Sequence, residues 1–181
     1  MSTETRFCLA PFPGTDAVPE IGISGALSLH AGFLGLEYIL SGAAGKIAIP
    51  GRADAPARRK GLWEETCFEF FIRQGNLKNY WEFNLSPAGH WNVFAFSGYR
   101  EGMREEQSFS ALPISTVKEP ASFSLRLETD LGPILPRGGT LFFAVTAVIK
   151  AVSGEVSYWA LSHNGPKPDF HRPEDFGIEL S

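Results

Sequence analysis

The most constraining feature of this sequence is a two-residue alternation of apolar and polar side chains that recurs in short segments. Successive side chains of a β-strand point to opposite faces of a sheet, so this alternation predicts strands with one buried face. It is clearest in residues 34–40, 67–73, 80–85 and 122–128. Residues 140–149, TLFFAVTAVI, are apolar at nearly every position and predict a central strand that is buried on both faces.

Turns rich in Gly, Pro and Asn separate these segments, and hardly any window shows the period of a helix. Further short strands are expected at residues 27–30, 46–49, 91–96, 115–117, 156–163 and 176–180. Many short strands with frequent turns predict an all-β fold, an antiparallel β-sandwich. The length and the absence of a repeat or linker favour one β-sandwich domain over residues 1–181.

Charge and composition argue against several classes of partner. The net charge is −4, and the basic cluster of Arg58, Arg59 and Lys60 is expected to be a solvated loop, so we expect no nucleic-acid partner. The sequence has no transmembrane run or secretory signal, and Cys8 and Cys67 show no zinc spacing. We therefore expect no membrane partner and a cytoplasmic protein with reduced thiols, and the sequence leaves its oligomeric state open.

The alternation places several polar side chains on one predicted sheet face. If residues 67–73 and 80–85 form neighbouring antiparallel strands, Glu69 lies near Glu82 or Asn84, together with the rings of Phe71 and Tyr80. Carboxylates and amides hydrogen-bond hydroxyl groups, and flat rings stack on the apolar faces of sugars, so this mixture suits a polyhydroxylated ligand. An ordinary solvent-facing sheet would show the same pattern, and that alternative stays open here.

The four tryptophans divide into two groups. Trp81, Trp91 and Trp159 are expected in the core, because each alternates with polar neighbours in a predicted strand. Trp63 directly follows residues 50–62 and belongs to the same predicted long loop, where it either packs against the sheet edge or binds a ligand.

Metal binding and catalysis receive little support. His163, Asp169 and His171 are close in sequence, in a second predicted long loop at 165–175, but their spacing matches no zinc pattern, so structural use is favoured and no metal is expected. No nucleophile or phosphate-binding motif is present. A glycosidase that uses Glu69 and Glu82 as its carboxyl pair is the enzymatic alternative.

Three segments together resemble the DOMON-like family, which is similar to the family 9 carbohydrate-binding modules. They are LWEETCFEFFI (62–72), YWEFNLSPAGHWNVFAFSGYREGM (80–103) and YWALSHNGPKPDFHRPEDFGIEL (158–180). The resemblance extends from about residue 36 to the end of the sequence. It implies an immunoglobulin-like β-sandwich with a ligand site on a concave sheet face and its loops. The ligand-binding residues that it implies are Trp63, Glu69, Glu82, Asn84, Tyr99, Arg100 and His171.

The sequence departs from this family in two respects. Haem-binding relatives use a methionine and a histidine as axial ligands, whereas Met103, the only internal methionine here, lies in a polar loop, so no cofactor is expected. Secreted sugar-binding modules usually accompany a hydrolase and a signal, and neither is apparent here. We therefore predict a non-catalytic domain that binds a small carbohydrate-like molecule; the alternatives are a glycoside-acting enzyme and a protein-interaction module.

Overall fold

A computed structural model describes residues 3–15 and 19–181. Within these residues the chain forms twelve β-strands and only single turns of 3₁₀ helix, at Ala44–Lys46, Leu62–Glu64 and Pro173–Asp175. The strands are β1 (Thr3–Pro11), β2 (Ile21–His30), β3 (Phe33–Gly42), β4 (Cys67–Gln74), β5 (Tyr80–Leu85), β6 (Trp91–Phe96), β7 (Arg104–Glu105), β8 (Ile114–Glu119), β9 (Ser122–Asp130), β10 (Leu141–Lys150), β11 (Val156–Ala160) and β12 (Ile178–Leu180).

These strands form one antiparallel sheet that curls over the core. Their order is β7-β6-β5-β4-β10-β11-β1-β2-β3-β9-β8, and β12 pairs with the start of β10. Strand β1 joins two half-sheets, since residues up to Leu9 pair with β2 whereas Ala10 and Pro11 pair with β11. The first half-sheet contains β2, β3, β9 and β8, and the second contains β11, β10, β4, β5, β6, β7 and β12. The predicted all-β antiparallel fold is confirmed.

The inner faces of the two half-sheets pack against each other through aromatic side chains. The ring of Tyr38 on β3 lies 5.0 Å from that of Phe68 on β4, and Phe68 stacks on Phe123 of β9 at 5.9 Å between centroids. The buried Tyr38 hydroxyl donates to the backbone carbonyl of Glu69, with 2.5 Å between the oxygens. The residues that alternate inward on each strand therefore form one core between the half-sheets.

The outer face of the second half-sheet is also covered. Residues 161–177, which join β11 to β12, lie over it as a covering segment. Phe176 of this segment packs edge-on against Phe71 of β4 and Tyr80 of β5, with centroid distances of 6.2 and 5.9 Å. Phe71, Tyr80, Phe94, Phe96, Ala144 and Phe176 form a second apolar cluster. Strands β4, β5 and β10 are thus buried on both faces, as predicted for β10.

The fold departs from the sequence prediction at several places. Strand β7 was not predicted, β2 begins earlier than predicted, at Ile21, and β11 ends earlier, at Ala160. Strand β1 was not predicted, although Phe7 and Leu9 are buried and alternate with exposed neighbours. The strand predicted at 46–49 is wrong, because this stretch contains a 3₁₀ turn and one isolated bridge from Ile47 to Ala151. The terminal strand predicted at 176–180 begins later, at Ile178.

The basic cluster is only partly a solvated loop. Arg59 and Lys60 are exposed, but the guanidinium of Arg58 lies 4.4 Å from the ring centre of Trp91. It also donates to Asn92 Oδ1 at 2.8 Å and to the carbonyls of Glu106 and Phe109 at 2.9 and 2.7 Å. The expectation was therefore wrong for Arg58, because the loop needs its donors to satisfy carbonyls near the sheet edge.

The tryptophans follow the prediction closely. Trp91 and Trp159 are buried, and Trp81 is half-buried against the core, with its indole nitrogen donating to Glu106 Oε2 at 3.1 Å. Over the two described ranges, no helix has the length and hydrophobicity needed to cross a membrane.

The hydrogen bond between Tyr38 and the Glu69 carbonyl yields a stability prediction. We expect Tyr38→Phe to lower the free energy of unfolding by about 1 kcal/mol, because the buried Glu69 carbonyl then keeps only the longer hydrogen bond from the Thr146 hydroxyl, at 3.5 Å. Tyr158→Phe is the matched control, since its side chain is partly exposed, and should change stability by less than about 0.5 kcal/mol. Urea denaturation measures both variants, and equal stabilities would contradict the prediction.

Candidate functional site

The floor of the site comes from the pairing of β4 with β5. In this register Glu69 is opposite Asn84, and Phe71 is opposite Glu82. Glu69, Glu82 and Asn84 therefore share the outer face of the second half-sheet, and all three are buried. Polar side chains that face water in an ordinary half-exposed sheet are enclosed here, which the alternation pattern by itself does not reveal.

A cavity of about 380 Å³ lies between this face and the loops above it. Five predicted site residues line it: Trp63, Glu69, Glu82, Arg100 and His171. Asn84 lies beneath the cavity without lining it, and Tyr99 lies outside it. The remaining lining residues are Phe96, Met103, Val148, Tyr158, Pro168, Asp169 and Phe170.

Loop segments supply the aromatic walls of the cavity. The 3₁₀ turn Leu62–Glu64 presents Trp63, whose ring lies edge-on to Phe94 at 5.9 Å and is 39% exposed. Phe170 of the covering segment lies edge-on to Tyr158 of β11 at 6.1 Å. Trp63 and Tyr158 thus keep part of their rings available at the cavity, although a protein normally buries such rings.

An ion pair closes one side of the cavity. Arg100 Nη2 and Nε lie 2.7 and 3.2 Å from Asp169 Oδ1, and the Tyr99 hydroxyl donates to the other Asp169 oxygen. Although burial raises the pKa of Asp169, hydrogen bonds from Tyr99 and Arg100 outweigh it and hold that pKa below its usual value. Arg100 therefore holds the covering segment through Asp169. Tyr99 supports this ion pair with its hydroxyl and does not line the cavity.

Arg100 also has an unusual backbone. Its φ of 55° lies in the left-handed region, which few residues other than Gly adopt. In this conformation its backbone N–H donates to the hydroxyl of Tyr80, at 3.2 Å. The same turn therefore directs its side chain to Asp169 and its backbone to the sheet.

The Tyr80 hydroxyl also contacts His171. The Tyr80 oxygen lies 2.8 Å from His171 Nδ1. Burial and the charge of Arg100 lower the pKa of His171 to about 4, so its ring is neutral near pH 7 and Nδ1 accepts a hydrogen bond from the Tyr80 hydroxyl. The remaining proton is then on Nε2, which lies 3.7 Å from Glu82 Oε2. This contact joins a neutral imidazole to a carboxyl group and is not an ion pair.

The two glutamates form a buried acid pair. Asn84 Nδ2 donates to Glu82 Oε1 at 2.7 Å, and the Cys67 thiol faces Asn84 Oδ1 at 3.8 Å. Burial raises the pKa of Glu82 to about 7, against the opposing effects of Asn84 and Arg100. Burial and the neighbouring charge of Glu82 raise the pKa of Glu69 as well.

Glu69 holds one atom that nothing in the described ranges satisfies. Its side chain is 3% exposed, and its Oε1 atom has no hydrogen-bond partner among the residues described. A buried polar atom without a partner costs about 1–3 kcal/mol. The floor of the cavity therefore contains a polar atom that no described residue satisfies.

Some lining residues were not predicted as part of a site. Asp169 was considered in the sequence only as part of a metal cluster with His163 and His171, Phe170 lies in the same predicted loop, and Phe96 was predicted simply as part of a strand. Tyr158 had a usable signal, because it alternates with the buried Trp159 and therefore lies on the opposite face of its strand. For Phe170 no sequence signal was available, since only the packing of the covering segment determines its position.

His163 lies apart from Asp169 and His171. Its Nε2 is 2.9 Å from the carbonyl oxygen of Ala10, and its ring packs edge-on against Phe12. Across residues 3–15 and 19–181, no three His, Cys, Asp or Glu side chains are grouped as metal ligands.

Met103 is closer to His171 than its polar sequence context implied. Both residues line the same cavity. The arrangement nevertheless does not fit haem, because Tyr80 occupies Nδ1 of His171 and the buried carboxyl of Glu82 lies 3.7 Å from Nε2. A metal–nitrogen bond of about 2 Å would place a porphyrin in the space of that carboxyl.

Comparison with known proteins finds similarity in structure alone. No family model and no curated protein matches the sequence. A candidate carbohydrate-binding protein from Bacteroides uniformis ATCC 8492 is 16% identical, with a TM-score of 0.70 over 97% of this chain and 84% of that one. A family 9 carbohydrate-binding module from Caldicellulosiruptor kristjanssonii, solved with glucose, is 11% identical, with a TM-score of 0.50 over 83% of this chain and 72% of that one. At these identities the likeness concerns the fold.

The raised pKa of Glu82 predicts how stability depends on pH. A carboxyl with a raised folded-state pKa stabilises the fold while it is protonated, so stability is lost as pH rises from 4.5 through about 7. Ionisation of Glu82 contributes a loss of about 3 kcal/mol of unfolding free energy over this range, with Glu69 acting in the same direction. The lowered pKa of His171 acts in the opposite direction between about 4 and 6.5, because the unfolded state binds that proton more tightly. We therefore expect the stability of Glu82→Gln relative to the wild-type protein to rise by about 3 kcal/mol between pH 4.5 and pH 7.

Urea denaturation at a series of pH values measures this difference. Glu128→Gln is the control, because it removes one carboxyl from an exposed position on β9, in the other half-sheet, and should keep the wild-type slope. If Glu82→Gln shows the same slope as the wild-type protein, Glu82 is ionised across the whole range and the pKa assignment is wrong.

Proposed function

We propose that the cavity above Glu69 and Glu82 binds a small saccharide and that the domain does not catalyse a reaction. The observation that carries the proposal is the unpartnered Glu69 Oε1, buried at the floor of a cavity whose walls include partly exposed aromatic rings. Sugars present this combination of chemistry, since they have hydroxyl donors on their edges and C–H groups on their faces.

Each cavity residue has a defined part in this proposal. Trp63 and Tyr158 would pack on the apolar face of a sugar ring, and Glu69, Glu82 and the Nε2–H of His171 would hydrogen-bond its hydroxyls. Asn84 would hold the Glu82 carboxyl in place from below. A volume of about 380 Å³ is at the lower end of the range of small-molecule sites, about 300–1,000 Å³, and suits a single sugar unit.

The structural neighbours support this proposal at a coarse level. One is a candidate carbohydrate-binding protein, and the other is a family 9 module that binds glucose in its crystal. We extend the proposal to an immunoglobulin-like arrangement of the strands and a DOMON-like relationship, which the sequence resemblance implies. A cytoplasmic location is also proposed, consistent with two free cysteines, Cys8 and Cys67.

Trp63 provides the most direct test of saccharide binding. We expect Trp63→Ala to weaken binding of the preferred monosaccharide about tenfold, because the ring supplies stacking area. Isothermal titration calorimetry with a panel of monosaccharides, including D-glucose, measures the affinity. Phe33→Ala, at an exposed aromatic position on β3, is the control and should keep wild-type affinity. Binding that is unchanged in Trp63→Ala, or loss of folding in this variant, would contradict a ligand-binding role for Trp63.

One observation favours glycoside hydrolysis as a second candidate. Glu82, with its pKa raised to about 7 beside a second carboxyl, has the protonation behaviour of a general acid that protonates a leaving oxygen. Turnover of p-nitrophenyl glycosides that is lost in Glu82→Gln would establish the enzyme. We expect no turnover above buffer, because the proposed function is binding alone.

A further inference from the structure

The floor of the cavity carries acidic groups without a matching cation. Among the residues described, the charged side chains that line it are Glu69, Glu82, Asp169 and Arg100, together with the neutral His171. Asp169 and Arg100 neutralise each other through their ion pair. Lys150, from the neighbouring part of β10, is engaged with Glu65 at 2.7 Å. The lining residues therefore supply no cation of their own that binds the acid pair at the floor.

We infer that the saccharide is an amino sugar, whose protonated primary amine binds between the carboxyl groups of Glu69 and Glu82. This inference rests on the proposed function and specifies its ligand class. An ammonium group has three N–H donors and no acceptor, so it complements carboxyl oxygens that need donors. Glu69 Oε1, which has no partner among the residues described, is the acceptor to which one of these donors would bind.

Electrostatics favour this ligand over a neutral sugar. Burial holds the carboxyl groups of Glu69 and Glu82 toward their neutral forms, and a bound ammonium supplies the cation that favours their ionisation. A hydrogen bond between an ammonium and a carboxylate is stronger than one between neutral groups. The rings of Trp63, Phe96 and Tyr158 line the same cavity, and aromatic faces attract cations. A neutral hydroxyl supplies a single donor and no positive charge.

The first experiment compares three sugars that differ at one position. D-glucosamine, D-glucose and N-acetyl-D-glucosamine are titrated into the wild-type protein by calorimetry at about pH 7, where a primary amine of this kind is largely protonated. We expect D-glucosamine to bind about tenfold to a hundredfold more tightly than D-glucose. N-acetyl-D-glucosamine should lose this advantage, because acetylation removes the charge.

The second experiment removes one of the two acidic groups from the protein. Glu69→Gln keeps the size of the side chain but cannot become negatively charged when the amine binds, so the ratio of the dissociation constants for D-glucose and D-glucosamine should fall toward one. Glu128→Gln removes one charge from the other half-sheet and should keep the wild-type ratio. A ratio that is unchanged in Glu69→Gln overturns the assignment of the amine to this pair.

The outcomes separate this inference from the function on which it rests. If D-glucose and D-glucosamine bind equally well, the amino-sugar inference is wrong and saccharide binding stands. If no sugar binds, both are wrong. If ethanolamine binds as tightly as D-glucosamine, the pair recognises an amine without the sugar ring, and the saccharide part of the proposal fails.

Discussion

The burial of the outer face of β4, β5 and β10 under residues 161–177 is the constraint on which the site depends. An antiparallel sheet of this kind can leave one face in water, and its polar residues are then ordinary surface groups. Here Phe176 packs on Phe71 and Tyr80, so the covering segment turns that face into a second interior. The covering segment encloses the cavity together with the 3₁₀ turn that presents Trp63 and the loop that contains Arg100.

The covering segment is held by contacts that also determine the electrostatics of the site. Asp169 binds Arg100 and Tyr99, and the backbone of Arg100 binds the Tyr80 hydroxyl, which in turn contacts His171. These contacts keep His171 neutral and close to Glu82. The same enclosure removes water from Glu69 and Glu82 and raises the pKa values of both carboxyl groups. The contacts that hold the covering segment and the protonation of these two glutamates therefore depend on each other.

Much of the inner architecture was predictable because it depends on local alternation. Strands β3, β4, β5, β9 and β10 were expected close to their observed positions, since each carries its own period-two pattern. The strand predicted at residues 46–49 was wrong because their apolar side chains contact the core from a turn, not from a strand. The prediction that Arg58 is solvated was wrong because a charged residue in a loop gives no local indication that it will donate to distant carbonyls.

The sequence by itself determined which side chains share a face, because side-chain direction alternates along any strand. It therefore placed Glu69, Glu82 and Asn84 together before the strand register was known. Only the tertiary structure decided that this face is enclosed, and that Arg100 and Tyr99 bind Asp169 and not open solvent. Those contacts join residues about seventy positions apart, and the long-range packing that creates them leaves no period or motif in the sequence.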